Sequence, residues 1–122
     1  MLVRAKVETW EEVIELDNDE KITFTFRKPS LVAVQDFQAS LIIGDVTAEE
    51  LQTGKYKIDY KKALDKDFYL LAYSVLTISI VAEWGKMDID TRVKELKELA
   101  NINGELFKEI VERVKAKVGE LI

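Results

Sequence analysis

Residues 68–82 read Phe-Tyr-Leu-Leu-Ala-Tyr-Ser-Val-Leu-Thr-Ile-Ser-Ile-Val-Ala, fifteen positions without a charge in a 122-residue chain that is 34% Asp, Glu, Lys and Arg. Lys66 and Asp67 bound the run on one side and Glu83 on the other. Folding must take this stretch out of water, because burial of apolar surface is the main force available to it. Buried strands usually stop at four to eight residues, so a continuous run of this length predicts a helix. A membrane span needs about 20 apolar residues, and Ser74, Thr77 and Ser79 interrupt this one. A helix that is apolar nearly all round is a central one, covered on several faces. Fifteen residues extend about 22 Å; Ile58 to Lys66 can lengthen the helix at its start, and Gly85, just after Trp84, closes it. Ala63, Leu64, Phe68, Leu71, Val75 and Val81 mark one side. Tyr69, Tyr73, Leu76, Ile80 and Trp84 mark the other. One small domain rarely covers both, so part of this surface is expected to serve a partner.

At this length one domain, 1–122, is expected, β-rich over 1–28 and helical over 30–122. The chain has no cysteine and no histidine. Disulfides, thiolate metal sites, histidine general bases and the usual catalytic triads are thereby excluded. The net charge is -5, and residues 1–20 alone, with seven acids against Arg4 and Lys6, account for it. No broad basic surface follows, which argues against nucleic acid. The start, Met-Leu-Val-Arg-Ala-Lys, lacks the apolar core of a signal peptide, so a cytoplasmic protein is expected. Fourteen Lys and fourteen Glu beside three Gln and three Asn lean towards a thermophile-like composition.

Leu2, Val3, Ala5 and Val7 alternate with charged residues, as in a strand. Thr9 to Leu16 admits two readings: a short helix opened by a Thr9/Glu12 capping box, or a strand that enters a turn at Asp17-Asn18-Asp19-Glu20. The strand is preferred because Lys21 to Lys28, with Ile22, Phe24 and Phe26 on one face, needs a partner. Pro29 ends that strand, and Ser30 is placed to cap a helix carrying Leu31, Val34, Phe37 (or Gln38) and Leu41 that Gly44 stops. Thr47 with Glu50 opens a short helix closed by Gly54. Asp88 or Asp90 caps a helix with Val93, Leu96 and Leu99 inward. Asn101 to Gly104 breaks it, and a last helix, Glu105 to Leu121, carries a stripe of Phe107, Ile110, Val111, Val114, Val118 and Leu121. The fold class is α+β: a small N-terminal antiparallel sheet of two or three strands, then about five helices around a central apolar one.

Candidate chemistry is sparse. The acids at 17–20 could hold calcium, but a calcium loop of the EF-hand kind needs glycine where Ile22 stands; a solvated turn explains them. Lys55, Lys57, Lys61, Lys62 and Lys66, interleaved with Tyr56 and Tyr60, read as a solvated helix face. Their functional alternative is a dock for an acidic partner, such as the N-terminal segment of another copy. Leu99 to Ile110 has the Ala100/Gly104 spacing of a helix-turn-helix, yet Glu105, Glu109 and Glu112 would repel phosphates. No carboxylate lies inside the uncharged run, where desolvation would tune it; Glu83 at its end reads as a helix-terminal residue. No catalytic, cofactor-binding or metal-binding residue is assigned. Large aromatics dominate protein-binding surfaces, and Trp10, Phe37, Tyr69, Tyr73 and Trp84 are the candidates for one, with core packing as the plain alternative.

The order of elements is similar to that of the tail assembly chaperones of long-tailed bacteriophages and related proviruses. An acidic-turn hairpin runs into Ile22 to Ser30, whose Arg27-Lys28-Pro29-Ser30 matches the basic-Pro-Ser/Thr step that leads into the family's first helix. A long apolar helix with Trp84 near its end and a paired helical tail follow. The likeness covers residues 12–100 in outline. It implies a non-enzymatic protein without cofactor that binds apolar segments of tape-measure or tail-tube-like partners and forms a homo-oligomer. The alternative expectation is a small nucleic-acid-associated regulator using the C-terminal helix pair.

Overall fold

A computed structural model describes residues 7–122; the alternation at Leu2, Val3 and Ala5 lies outside them. Strands β1 (Thr9–Glu15) and β2 (Lys21–Arg27) form an antiparallel hairpin. The Leu16 amide donates to the Glu20 carbonyl at 2.8 Å and Asp19 takes φ 63°, a left-handed conformation that Asp tolerates. The strand reading of Thr9 to Leu16 therefore holds. Ile22, Phe24 and Phe26 are buried on one face of β2, while Thr23 and Thr25 lie on the other.

The uncharged run does not stay helical. It supplies helix α4 (Lys66–Ser74) and then strand β5 (Val75–Ile78), the third strand of the sheet in the order β1-β2-β5. The expectation of one central helix through Ala82, ended by Gly85, is corrected at Ser74. The physical reason is local and tertiary together. Phe68 to Tyr73 contains no β-branched residue, whereas Val75, Thr77 and Ile78 are all β-branched and prefer a strand. The second edge of β2 also needs a partner, which Phe26↔Val75, Thr25↔Thr77 and Phe24↔Ile78 supply, with a bulge between Thr25 and Phe26. Ile58 to Lys66 does not extend α4 as one piece either. A separate short helix α3 (Tyr60–Leu64) ends at Asp65.

The switch is held by two long side chains. Trp84, in a single 3-10 turn (Trp84–Lys86), donates its indole N–H to the Val75 carbonyl at 2.7 Å. Arg92 donates Nε to the Trp84 carbonyl at 3.1 Å and Nη1 to the Ala72 carbonyl at 3.0 Å, its guanidinium lying 5.1 Å from the indole ring. Carbonyls at the end of α4, orphaned by the turn into a strand, thus find donors.

Helix α1 (Leu31–Ser40) is capped by Ser30, which accepts from the Ala33 amide, as expected. It ends before Gly44, because Ile42–Ile43 (β3) pair with Lys57–Ile58 (β4) across a two-stranded ribbon. Between them α2 (Ala48–Thr53) has the expected Thr47/Glu50 capping box and ends at Gly54 with φ 71°. Asp88 caps α5 (Ile89–Ile102), and Asn103 caps α6 (Gly104–Val118). Helix α4 packs by β5 and α6 by β1, α5 packs on both of these helices, and the buried side chains of sheet and helices form one cluster. Phe68 stacks on Phe107 with ring centres 4.6 Å apart. The stripe read for α6 omits Leu106, which is buried, and Leu121 reaches the core from beyond the helix end. Arg113 donates to Glu109 at 2.9 Å, as the spacing suggests, but also to Glu12 and the Val13 carbonyl, tying α6 to β1.

Candidate protein-binding surface

From Ile42 to Tyr69 no residue is buried. This span contains β3, α2, β4 and α3, an arm that leaves the far end of α1 and returns to α4. A helix as short as α2 does not sustain itself through its own hydrogen bonds, and none of its side chains is buried. Its caps and the β3–β4 ribbon hold it in place. Apolar residues of the arm face solvent: Leu64 is 84% exposed, Tyr60 76%, Ile43 54% and Leu51 47%. Ile58 is exposed too, beside Tyr56 and Ile122 in a hollow of about 450 Å³ between the arm and the C-terminus. Leu31 and Val32, at the start of α1, are also exposed.

The five expected binding residues are distributed differently. Phe37 is fully buried and Trp84 is 2% exposed, so neither presents surface to a partner; that expectation is corrected. Both anchor core contacts, Phe37 against the Tyr69 ring at 5.0 Å and Trp84 at the α4–β5 switch. Tyr69 and Tyr73 are half-buried on α4. Burial raises the pKa of each phenol; Asp90 adds to the rise at Tyr69, and Asp36 at Tyr73. Trp10 is half-buried on β1, 5.5 Å from Phe26. Of the five, Phe37 and Tyr69 pack ring against ring. Ile43, Leu51, Ile58, Tyr60 and Leu64 were not anticipated. A signal for part of them was present: Lys55-Tyr56-Lys57-Ile58 alternates like a strand directly after Gly54.

Electrostatically the arm is basic at one edge. Lys55, Lys57 and Lys61 are exposed, and among the described residues none has a carboxylate within 4.0 Å. Lys62 sits 5.1 Å from the Tyr69 ring centre and Lys66 reaches Glu120 at 3.6 Å. The expected helix face is thus partly a strand: Lys57 is on β4, Lys61 and Lys62 on α3 and Lys66 on α4, with Lys55 in the preceding loop.

A second concavity, of about 1060 Å³, opens between the hairpin tip and the N-terminal half of α6. Ile14, Leu16 and Leu106 line it together with Asp17 and Glu105, and Arg113 crosses its wall. Hydrogen bonds from Arg113 bind two of the nearby carboxylates, Glu109 and Glu12, and these partners raise the arginine pKa. Among the described residues no helix is long and apolar enough to cross a membrane. No family model, no curated protein and no solved structure matches this chain.

Proposed function

We propose that the chain is a non-enzymatic protein-binding protein whose docking face is the arm between Ile42 and Leu64, acting in the manner of a tail assembly chaperone that covers apolar segments of tape-measure or tail-tube-like partners. The observation that carries this reading is the arm itself: from Ile42 to Leu64 no side chain is fully buried, yet the stretch exposes several large apolar side chains. Ile43, Ile58 and Tyr60 line one hollow, and exposed apolar surface brought together in this way marks interaction sites. Taking one Leu or Ile side chain fully out of water is worth about 1.5–3 kcal/mol. Several together can offset the cost of association, on the order of 4–15 kcal/mol. The lysines beside them favour a partner segment that carries acids among its apolar residues.

A photo-crosslinking residue placed at Ile58 tests this, with Thr25 on the polar face of the sheet as the control. Adducts from position 58 and none from 25, in cells that also express neighbouring genes, support the reading. Equal yields from both positions, or none from 58, overturn it.

A further inference from the structure

We infer that the outer edge of β1 takes an added strand: an extended segment of a different protein, with basic residues four apart, that hydrogen-bonds along Glu11 to Glu15. This edge is a surface separate from the arm, and the inference does not rest on what the arm does.

The directions of the backbone groups lead to it. β1 is an outer strand in the order β1-β2-β5, so among the described residues one of its edges pairs with β2 and the other with no strand. In an antiparallel pair, opposed residues alternate between those that exchange amide hydrogen bonds and those whose groups point away. The Leu16 amide donates to the Glu20 carbonyl, which puts Leu16 and Ile14 among the bonded residues and Val13 among those that point away. Two further bonds agree. The Val13 carbonyl accepts from Arg113 Nη1 on α6 at 2.9 Å, outside the sheet. Thr23, opposite Val13, turns its carbonyl to the Ser79 amide at 2.9 Å, on the β5 side. Alternation then directs the amides and carbonyls of Glu11, Val13 and Glu15 out of the unpaired edge.

One of these groups is already bonded as a strand would bond it. Arg113 stands in for an incoming amide at Val13, and it can leave that carbonyl while keeping Glu109 and Glu12. The concavity of about 1060 Å³ beside α6 borders this edge, since Val13, Ile14 and Glu15 line it together with Leu106. A strand laid there finds apolar Ile14 and Leu106 on its inner side.

Charge selects the occupant. Glu11 and Glu15 are exposed on the opposite face of β1 from Ile14. Glu15 has an exposed partner, Lys21 at 3.7 Å, while Glu8, Glu11, Asp17 and Glu105 have no cation within 4.0 Å among the described residues. Charges on an edge strand keep indiscriminate pairing away. They refuse a second β1, because antiparallel pairing about Val13 would set Glu11 of each copy opposite Glu15 of the other. A segment with Lys or Arg opposite Glu11 and Glu15 meets the same acids as partners. In an antiparallel occupant those two basic residues are four apart, and the residue opposite Ile14 is apolar.

Fluorescence anisotropy of a labelled heptapeptide, Val-Lys-Val-Thr-Thr-Lys-Val, titrated with the full chain at low salt tests the inference. Three changes separate strand pairing from plain attraction. N-methylation of both peptide lysines removes amides that would face β1. Val13→Pro removes an outward amide of the chain and leaves the ladder to β2 whole. E11K/E15K is matched with a peptide whose lysines are replaced by glutamates. Far-UV circular dichroism confirms that each variant folds. Wild type should bind the parent peptide. N-methylation and Val13→Pro should each weaken binding about ten-fold or more, as the loss of edge hydrogen bonds implies. E11K/E15K should lose the lysine peptide and gain the glutamate one. Absence of binding to wild type overturns the inference, as does an N-methylated peptide that binds like its parent, because charge alone then holds it. If Val13→Pro instead removes self-association of the chain, the edge belongs to a second copy and the inference is overturned as well. Should Val13→Pro fail to fold, the N-methylated peptide and the charge exchange decide.

Discussion

At the scale of single residues, the point most exposed to mutation is the junction of α4 and β5. Trp84→Phe keeps most of the buried ring and removes the N–H that satisfies the Val75 carbonyl. A buried acceptor left without its partner costs about 1–3 kcal/mol, so the urea midpoint should fall by that equivalent with an unchanged slope. Ser74, next to this junction, is fully buried and its hydroxyl has no hydrogen-bond partner among the described residues. Ser74→Ala removes that orphan from the last position of a helix, where alanine is also the better former. It should raise stability by up to about 1 kcal/mol, read from the same titration. Asp88 behaves differently because it is charged. Hydrogen bonds from the Thr91 side chain and amide hold its carboxyl below the ordinary range. A depressed carboxylate contributes stability that is present above its unfolded pKa and is lost as the pH falls through the folded one. Asp88→Ala should therefore lower the Tm at neutral pH, and the gap to wild type should narrow once the pH drops below the ordinary carboxylate range.

At the scale of elements, the contrast between α1 and α2 is the informative one. Both are capped as their sequences suggest, Ser30 for α1 and the Thr47/Glu50 box for α2. Caps define where a helix begins; they do not say what it packs against. Phe37 gives α1 a buried anchor, while α2 has none. Phe37→Ala should cost about 3–5 kcal/mol, whereas Leu51→Ala should stay within about 0.5 kcal/mol, both measured by denaturant titration. Amide exchange should follow the same division: rapid in α2 and the β3–β4 ribbon, slow in β2, α5 and α6. Slow exchange throughout α2 in a monomer would show that the arm is anchored in a way its exposure does not suggest.

At the scale of the whole molecule, the packed part of the chain is self-sufficient and the arm is not. The sheet and helices α4, α5 and α6 bury one shared cluster, and the aromatic rings that looked most available in sequence are largely used there. Of the large apolar side chains that remain exposed, Ile43, Leu51, Ile58, Tyr60 and Leu64 lie on the arm, while others, among them Leu31, Val32 and Ile102, lie on α1 and α5. Within the central run, expected to leave surplus apolar surface, Ile80 is the one exposed large apolar side chain. Replacing Ile43 and Ile58 together by Asp should leave the thermal transition within a few degrees of wild type. The same change should reduce the fluorescence gain of a surface-binding apolar dye more than the same double change at Leu31 and Val32. An equal or larger loss at Leu31 and Val32 would place the main accessible apolar surface on α1.

Local patterns sufficed for the hairpin, the strand Lys21 to Arg27, the helix caps at Ser30, Thr47 and Asp88, and the α+β class, because each depends on neighbours within a few residues. The division of residues 68–82 into helix and strand did not follow from their apolarity. β-branching after Ser74 hinted at it, but the strand forms because β2, some fifty residues earlier, offers an unpaired edge. Likewise no local pattern distinguishes a Trp that closes a core from a Trp that waits for a partner. Packing settled that, by burying Trp84 and Phe37 and leaving Ile43, Ile58 and Leu64 in water. Burial is a property of what comes together from distant parts of the chain, and a sequence window contains only one side of each contact.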